Sequence, residues 1–423
     1  MSAAERTIVL HVDFYNFDEQ TDFEECLTLA RSAGADVVDT CCLRLSRPLP
    51  KFFIGSGKAE ELAGQVAAHK VELVLVNHRL TPAQERNLER QLQCRVCDRT
   101  RLILDIFARR ARTHEGKLQV ELAQLNYMST RLVRGWTHLE RQRGGRIGMT
   151  GPGETQLEID RRLLRQRIKY IQQRLEKVRK HRQLSRQARQ RSEVPTVAFV
   201  GYTNAGKSTL FNVLTDAHIY AADQLFATLD PTLRQVTLPG VGRAILADTV
   251  GFIRYLPHDL VAAFRATLEE VTSADLLLHV VDASDPKHLE YIDQVNLVLS
   301  DIGAETQPIL LAYNKIDLTD HHDAGMDVGE DGLPARAWVS AHKKQGLDIL
   351  QEVLATRLMR HRFHATIALP MTFAKLRAAL YAQQAVVNES LSDDMHWLLE
   401  INLPSSHWEA LCREHHFDNE RKT

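Results

Sequence analysis

Gly201-Tyr202-Thr203-Asn204-Ala205-Gly206-Lys207-Ser208-Thr209 is a complete G-x-x-x-x-G-K-[ST] phosphate loop. The apolar run Thr196 to Val200 precedes it and Leu210-Phe211-Asn212-Val213-Leu214 follows. That order predicts a strand, a tight turn and a helix, the setting the motif requires. Glycines at 201 and 206 let successive backbone N–H groups turn toward phosphate oxygens, helped by the positive end of the helix. Lys207 then sits on the β- and γ-phosphates, and the Ser208 hydroxyl is a candidate Mg²⁺ ligand.

Three further pieces follow in order. Phe226-Ala227-Thr228-Leu229-Asp230 reads as a loop whose Thr228 hydroxyl and backbone close over Mg²⁺ and the γ-phosphate, with Thr232 as the rival threonine. An apolar strand, Ala244 to Ala247, ends in Asp248-Thr249-Val250-Gly251, where Asp248 acts on Mg²⁺ through a water and the Gly251 N–H senses the γ-phosphate. Asn314-Lys315-Ile316-Asp317 follows the strand Pro308 to Ala312, at the strand end where such sheets bind ligands. The Asp317 carboxylate matches the paired N1–H and N2–H₂ donors of guanine, which adenine lacks. In Trp338-Val339-Ser340-Ala341-His342 the Ala341 N–H is the candidate donor to guanine O6. Together these stretches predict GTP and GDP as ligands, with Lys207, Thr228 and Gly251 as catalytic candidates.

Working outward, 423 residues, 44% apolar and 25% charged, suit a soluble chain of several domains. The formal charge of −1 conceals strong local asymmetry. Met1 to Arg6 shows no secretory signal, and no apolar run approaches the roughly 20 residues of a membrane span. Six scattered cysteines, with Cys94-x-x-Cys97 lacking a second pair, read as thiols of a reducing cytoplasm.

In the N-terminal third, Thr7 to Val12, Asp36 to Leu43 and Val71 to Val76 read as buried strands. They alternate with helical patterns at Phe23 to Ala33, Lys58 to His69 and Pro82 to Leu92. This predicts a small parallel α/β domain over residues 1–110. Gly55-Ser56-Gly57-Lys58 is too short for a phosphate loop and reads as a helix-opening turn, with a second nucleotide or RNA contact as the minority reading.

Residues 111–193 change character. Leu118, Leu122, Leu125, Met128, Leu132, Trp136 and Leu139 recur at helical spacing, as do Leu164, Ile168, Ile171, Leu175 and Val178. Two seams of this kind predict a long antiparallel helical hairpin, each seam buried against the other. Between them lies a glycine-rich tip with Arg141, Arg143, Gly144, Gly145, Arg146, Gly148, Gly151 and Gly153, suited to a close approach to phosphate. From Arg161 to Arg191 about a dozen Lys and Arg face a single acid, Glu176, a nucleic-acid footprint.

Residues 194–364 are then a doubly wound P-loop GTPase sheet, in which His279 reads as a satisfied core histidine. Residues 365–423 form a small α+β module, with strands near Thr366 to Leu369, Ala385 to Glu389 and Trp397 to Leu403, in a ferredoxin-like pattern.

The phosphate loop, D-T-V-G, N-K-I-D and S-A-H resemble the translation-factor-class GTPases. Phe226 to Asp230 together with Gly151-Pro152-Gly153-Glu154-Thr155-Gln156-Leu157-Glu158 resemble the HflX family of the Obg-HflX group. That resemblance implies a GTPase that binds the large (50S) ribosomal subunit and its RNA, and splits stalled or idle 70S ribosomes under stress. It places the hairpin tip toward the peptidyl-transferase region.

One position departs from the Ras-like pattern: Phe252 stands where a glutamine orients the attacking water. Turnover is therefore expected to be slow alone and stimulated by ribosomes. Asn204 matches GTPases that recruit K⁺, which makes K⁺ a further expected ion beside Mg²⁺. The expected state is a monomer in the cytoplasm, with at most transient membrane association. The alternatives are a signalling GTPase with a protein partner and an ATP-driven RNA remodelling factor.

Overall fold

A computed structural model describes residues 5–14, 23–135, 156–191, 194–216, 225–226, 228–254, 265–319, 323–330, 332–359, 362–383, 385–392, 396–415 and 417. The glycine-rich tip, with Arg141, Arg143, Gly144, Gly145, Arg146, Gly148, Gly151 and Gly153, lies outside them, as do Trp136, Leu139 and Ala227. The chain packs as two compact units. The first comprises Met1–Arg179, Tyr220–Asp230 and Val250–Leu268; the second comprises Lys180–Ile219, Pro231–Thr249 and Glu269–Thr423.

The first unit begins with β1 (Glu5–Phe14), α1 (Phe23–Ser32), β2 (Ala35–Leu45), α2 (Ser56–His69), β3 (Leu73–Val76), α3 (Pro82–Leu92), β4 (Arg95–Asp98) and α4 (Arg99–Arg110). Its four strands run in the order β2-β1-β3-β4, all parallel. The apolar strand residues Ile8, Leu10, Val12 and Val74, Val76 are buried in the core with Leu62 and Leu88. A capping box opens α3, where Thr81 and Gln84 satisfy each other's backbone N–H groups. Sequence patterning missed β4 and α4; the signal was Asp98, an N-cap whose side chain accepts from the Arg101 N–H. Gly55 to Lys58 opens α2, and Lys58 pairs with Glu61 at 2.6 Å, as a helix-opening turn would.

Helix α5 (His114–Gly135) carries two working faces rather than one. Val120 and Ala123 are buried, Leu122 and Leu125 are half-buried, and Met128 is 54% exposed. The helix packs against α3 and α4. Tyr127 donates from its hydroxyl to Asp98 Oδ1 at 2.9 Å, and Arg131 donates to Asp98 Oδ2 at 2.6 Å and pairs with Glu85. Helix α6 (Gln156–Arg191) meets α5 through Arg167, which pairs with Glu121 at 2.6 Å. Ile171 on its seam is buried, and Leu164, Ile168, Leu175 and Val178 are half-buried. The expectation that each seam is buried against the other is therefore only partly met. Small and polar residues on the second face of α5 dock on the α/β part, and they carry no hydrophobic periodicity to announce it.

The second unit holds β5 (Thr196–Val200), α7 (Lys207–Thr215), β6 (Thr232–Leu238), β7 (Gly242–Asp248), the part from Glu269 on of α8 (Arg265–Thr272), β8 (Leu276–Asp282), α9 (His288–Asp301), β9 (Ile309–Asn314), β10 (Gly325–Val328), β11 (Pro334–Trp338) and α10 (Leu347–Met359). The sheet order is β10-β11-β9-β8-β5-β7-β6, parallel except at the two edge strands. From β5 the chain winds to one side through β7 and then returns to the other through β8. The phosphate loop therefore leaves the sheet at its switch point, where open α/β sheets bind ligands. Val197, Phe199, Leu246, Leu278 and Leu310 form the core beneath it.

The chain ends in β12 (Arg362–Pro370), α11 (Ala374–Ala382), β13 (Val386–Leu391), β14 (His396–Pro404) and α12 (Ser405–His415). Strand β14 lies between β12 and β13 and runs antiparallel to both. This is the split β-α-β part of the ferredoxin-like pattern, and no fourth strand follows among the described residues. Trp408 stacks on Phe363 at 4.8 Å and is buried with Leu399 and Ile401.

Asp98 is fully buried and also accepts from the Leu80 N–H at 3.2 Å. Replacing it by alanine removes the α4 cap and leaves Arg131 and Tyr127 short of a partner in the interior. Asp98→Ala should cost about 3 kcal/mol, read from urea unfolding of the full chain.

Candidate functional site

The phosphate loop takes its shape from its glycines. Gly201 has φ +144°, and a Cβ there would collide with the Val280 carbonyl oxygen. Gly206 has φ +92°, and a Cβ there would collide with Asn314 Nδ2. The space a Cβ would need is instead occupied by that amide, which donates to the Ala205 carbonyl at 3.0 Å. Tyr202, Thr203, Ala205 and Lys207 are buried, and Asn204 adopts the left-handed region at φ +63°. Thr209 opens α7 with Lys207 and Ser208.

Lys207 is held by its own loop, donating to the Gly201 carbonyl at 3.0 Å and the Tyr202 carbonyl at 2.6 Å. Burial pushes its ammonium down to about 8, partly opposed by the charge of Asp248. Ser208 Oγ donates to Asp248 Oδ2 at 2.8 Å. A hydroxyl and a buried carboxylate in contact are a hard-oxygen pair that fits Mg²⁺. Thr249 turns away, donating to the Phe199 carbonyl at 2.5 Å. The rival Thr232 stands in strand β6 opposite Asp248, not in a loop.

The base-reading end is a second polar cluster. Asn314 Oδ1 accepts from the Ala341 N–H at 3.0 Å, so one side chain ties the phosphate loop to the Ser340-Ala341-His342 turn. Ser340 Oγ donates to Asp317 Oδ1 at 2.6 Å and accepts from the Lys343 N–H at 3.0 Å, which fixes one carboxylate oxygen of Asp317. Lys315, at φ +66°, donates to Asp282 Oδ2 at 2.6 Å. Asp282 also accepts from the Ser284 hydroxyl at 2.6 Å, so it both closes a turn and positions Lys315. Ile316 is buried in the short 3₁₀ turn that carries Asp317. Tyr313 stacks on Trp338 at 4.3 Å beneath this group.

His279 is buried between β5 and β9, and burial, with the Lys207 charge adding, holds it down at about 3. It is neutral. Its Nδ1 has no hydrogen-bond partner among the described residues, so the expectation of a satisfied histidine is not met at that atom.

Thr228, Leu229, Val250, Gly251 and Phe252 are buried residues of the first unit. Phe226, at φ +56°, packs edge-on against Phe107 of α4 at 4.6 Å. The Asp230 carboxylate accepts from the N–H groups of Arg112 and Thr113, each at 2.9 Å. Arg99 pairs with Glu25 in the interior and donates to the Arg254 carbonyl at 3.1 Å. Local sequence carried no signal for these ties, and the partners of the Asp230–Arg112 and Arg99–Arg254 bonds are more than a hundred residues apart. Cys94 stands just before β4 and Cys97 is buried on it, and no cluster of three metal-ligating side chains occurs among the described residues.

Fold and site together define a phosphate-loop protein for guanine nucleotides. A 50S ribosome-binding GTPase profile matches residues 196–315, and profiles for the N-terminal and middle regions of a GTP-binding GTPase match residues 20–108 and 110–189. GTPase HflX of Escherichia coli is 53% identical over 97% of this chain and 96% of its own length. The Magnetococcus marinus HflX is 49% identical over 89% and 87%. A GTP-binding protein from Sulfolobus solfataricus, solved in complex with GDP, aligns over 84% of this chain and 99% of that one, at 24% identity and TM-score 0.44. The chain belongs to the HflX GTPase family, whose activity is hydrolysis of GTP.

The lowered ammonium of Lys207 has a measurable sign. Its folded value, about 8, lies below the ordinary 10.5, so the unfolded chain binds the extra proton between those two pH values. The cost of burying the charge is therefore present below pH 8 and fades as pH rises toward 10.5. Relative to Lys207→Met, the full chain should gain about 3 kcal/mol across that window in urea unfolding. The variant should also lose GTP turnover by about a hundredfold or more.

Proposed function

We propose that this protein is a nucleotide-switched ribosome factor, in which GTP sets the pose of a cationic hairpin that binds large-subunit RNA and drives 70S particles apart. The observation that carries this reading is the surface of α6. Arg165, Lys169, Arg174 and Lys177 are exposed along it, with Glu176 the single acid from Arg161 to Arg191. The ribosome-binding description of the matched GTPase profile supports it. Among the described residues no helix is long and apolar enough to cross a membrane. The proposed division of labour is an α/β domain at 1–110, the hairpin at 111–193, the GTPase domain at 194–364 and the terminal module at 365–423.

In this reading the phosphate-loop N–H groups and Lys207 bind the phosphates, Asp317 reads the guanine edge, and Thr228 and Gly251 respond to the γ-phosphate. Ser208, Thr228 and, through a water, Asp248 hold Mg²⁺, which when bound neutralises charge on the β- and γ-oxygens. Asn204 is the proposed K⁺ contact. Phe252 is 2% exposed and offers no hydrogen bond to a water, so hydrolysis is slow until ribosome binding supplies or positions the missing group. Binding energy then does the splitting, and phosphate cleavage resets the cycle. The proposed setting is a cytoplasmic monomer acting under stress.

Sedimentation of 70S particles with the protein and GTP, GDP or a non-hydrolysable GTP analogue tests the reading. Splitting is expected with the analogue and not with GDP, and binding should weaken steeply with salt. Splitting that ignores the nucleotide would sink it. Asp317→Asn should move preference from GTP to xanthosine triphosphate. The amide offers a donor to the carbonyl that replaces the guanine amino group, and competition of the two nucleotides for turnover measures the change.

A further inference from the structure

Thr228 is flanked, two residues away on each side, by anchors that belong to the first unit. On one side Phe226 packs on Phe107 of α4. On the other, the Asp230 carboxylate sits on the N-terminus of α5. Oδ2 accepts from the Arg112 N–H and the Thr113 N–H, each at 2.9 Å, and Oδ1 accepts from the Thr113 hydroxyl. Thr113 Oγ1 accepts in turn from the Gly116 N–H at 2.9 Å, and the Thr113 carbonyl accepts from the Lys117 N–H at 3.0 Å. Thr113 is thus the N-cap of α5, and Asp230 is a second, charged cap laid over it from more than a hundred residues away.

The fit is tight enough to select a neighbour. A Cβ on Gly116 would collide with Asp230 Oδ1 and stand 3.2 Å from Thr113 Oγ1. Gly116 lies in the first turn of a 22-residue helix, where alanine is the better helix former by about 1 kcal/mol. Helix propensity does not explain a glycine there, whereas the carboxylate does.

We infer that Asp230 is a positioning residue: by binding the N-cap of α5 it fixes the segment that carries Thr228 in its hydrolysis-competent pose, making the first hairpin helix part of the GTPase machinery. The anchor is a charge-assisted hydrogen bond, a carboxylate on backbone N–H groups at a helix N-terminus. It joins the loop to a helix whose far end is keyed to Asp98 and Glu85 by Arg131. A pull on α5 is thereby a pull on Thr228. This inference rests on the proposed role of Thr228.

The test compares Thr228→Ala, Asp230→Ala, Asp230→Asn and Gly116→Ala in the full chain, measuring kcat and KM for GTP, GDP affinity and thermal unfolding. Thr228→Ala should lose kcat by about tenfold or more, and Asp230→Ala should fall with it, while GDP affinity stays within about twofold. Asp230→Asn, which keeps one acceptor oxygen, should fall between wild type and Asp230→Ala. Gly116→Ala should lower kcat although it leaves Asp230 in place and favours the helix. It keeps the inference testable if Asp230→Ala folds poorly. If Thr228→Ala is impaired while Asp230→Ala and Gly116→Ala turn over at the wild-type rate, the inference is wrong and the proposed function stands. If Thr228→Ala is unimpaired, the underlying role of Thr228 fails and takes the inference with it. A rise in turnover, or an equal loss of GDP affinity in Asp230→Ala, would also overturn it, because the carboxylate would then restrain the loop or touch the nucleotide itself.

Discussion

The amide of Asn314 against the backbone of Gly206 is the contact on which the second unit's site depends. A side chain can reach the phosphate loop there only because residue 206 has no Cβ, and the loop can curl only because residues 201 and 206 accept positive φ. The same amide then spends its oxygen on Ala341. Three loops from three strand ends are held by one planar group, so the distance between phosphate and base ends is set before any ligand arrives. Lys315 and Asp317 are placed around that group by Asp282 and Ser340. Preorganisation of this kind puts the cost of ordering into folding rather than binding.

The first unit shows the same economy at the carboxyl ends of its own parallel strands. His11 and Asn77 lie 3.0 Å apart, Asn77 accepts from Arg99 at 2.8 Å, and Arg99 reaches Glu25 and the Arg254 carbonyl. A buried ion pair adds little net stability over apolar packing, because desolvation offsets most of its Coulomb attraction. Its yield here is direction. Arg99 cannot rotate without giving up its pairing with Glu25 and its bond to Asn77, so the segment following Gly251 meets a fixed donor. Asp98, Tyr127 and Arg131 orient α5 in the same manner.

Much of the architecture was legible because it is local. Strand β5 and helix α3 run between the residues their patterns predict, since a β-branched run and a Thr-Pro start decide conformation within a few residues of themselves. The motif order phosphate loop, D-T-V-G, N-K-I-D and S-A-H was equally plain, because each piece needs a particular residue type at a particular strand end. The split β-α-β module followed from its apolar alternation, whereas its strand order did not.

What the chain alone determined is therefore chemistry that neighbours in sequence enforce: where the backbone must bend around the phosphate loop, which strand end carries the Asn-Lys-Ile-Asp carboxylate, and where positive charge gathers on a helix. Tertiary structure alone decided the partners of those groups. It gave Asp230 to the cap of α5, the Ala341 N–H to Asn314, and α5 a second face on which Val120 and Ala123 are buried and Tyr127 half-buried. Each choice joins atoms far apart in the chain, through glycine, alanine or backbone groups that leave no periodic trace, so only the closing of the fold could make it.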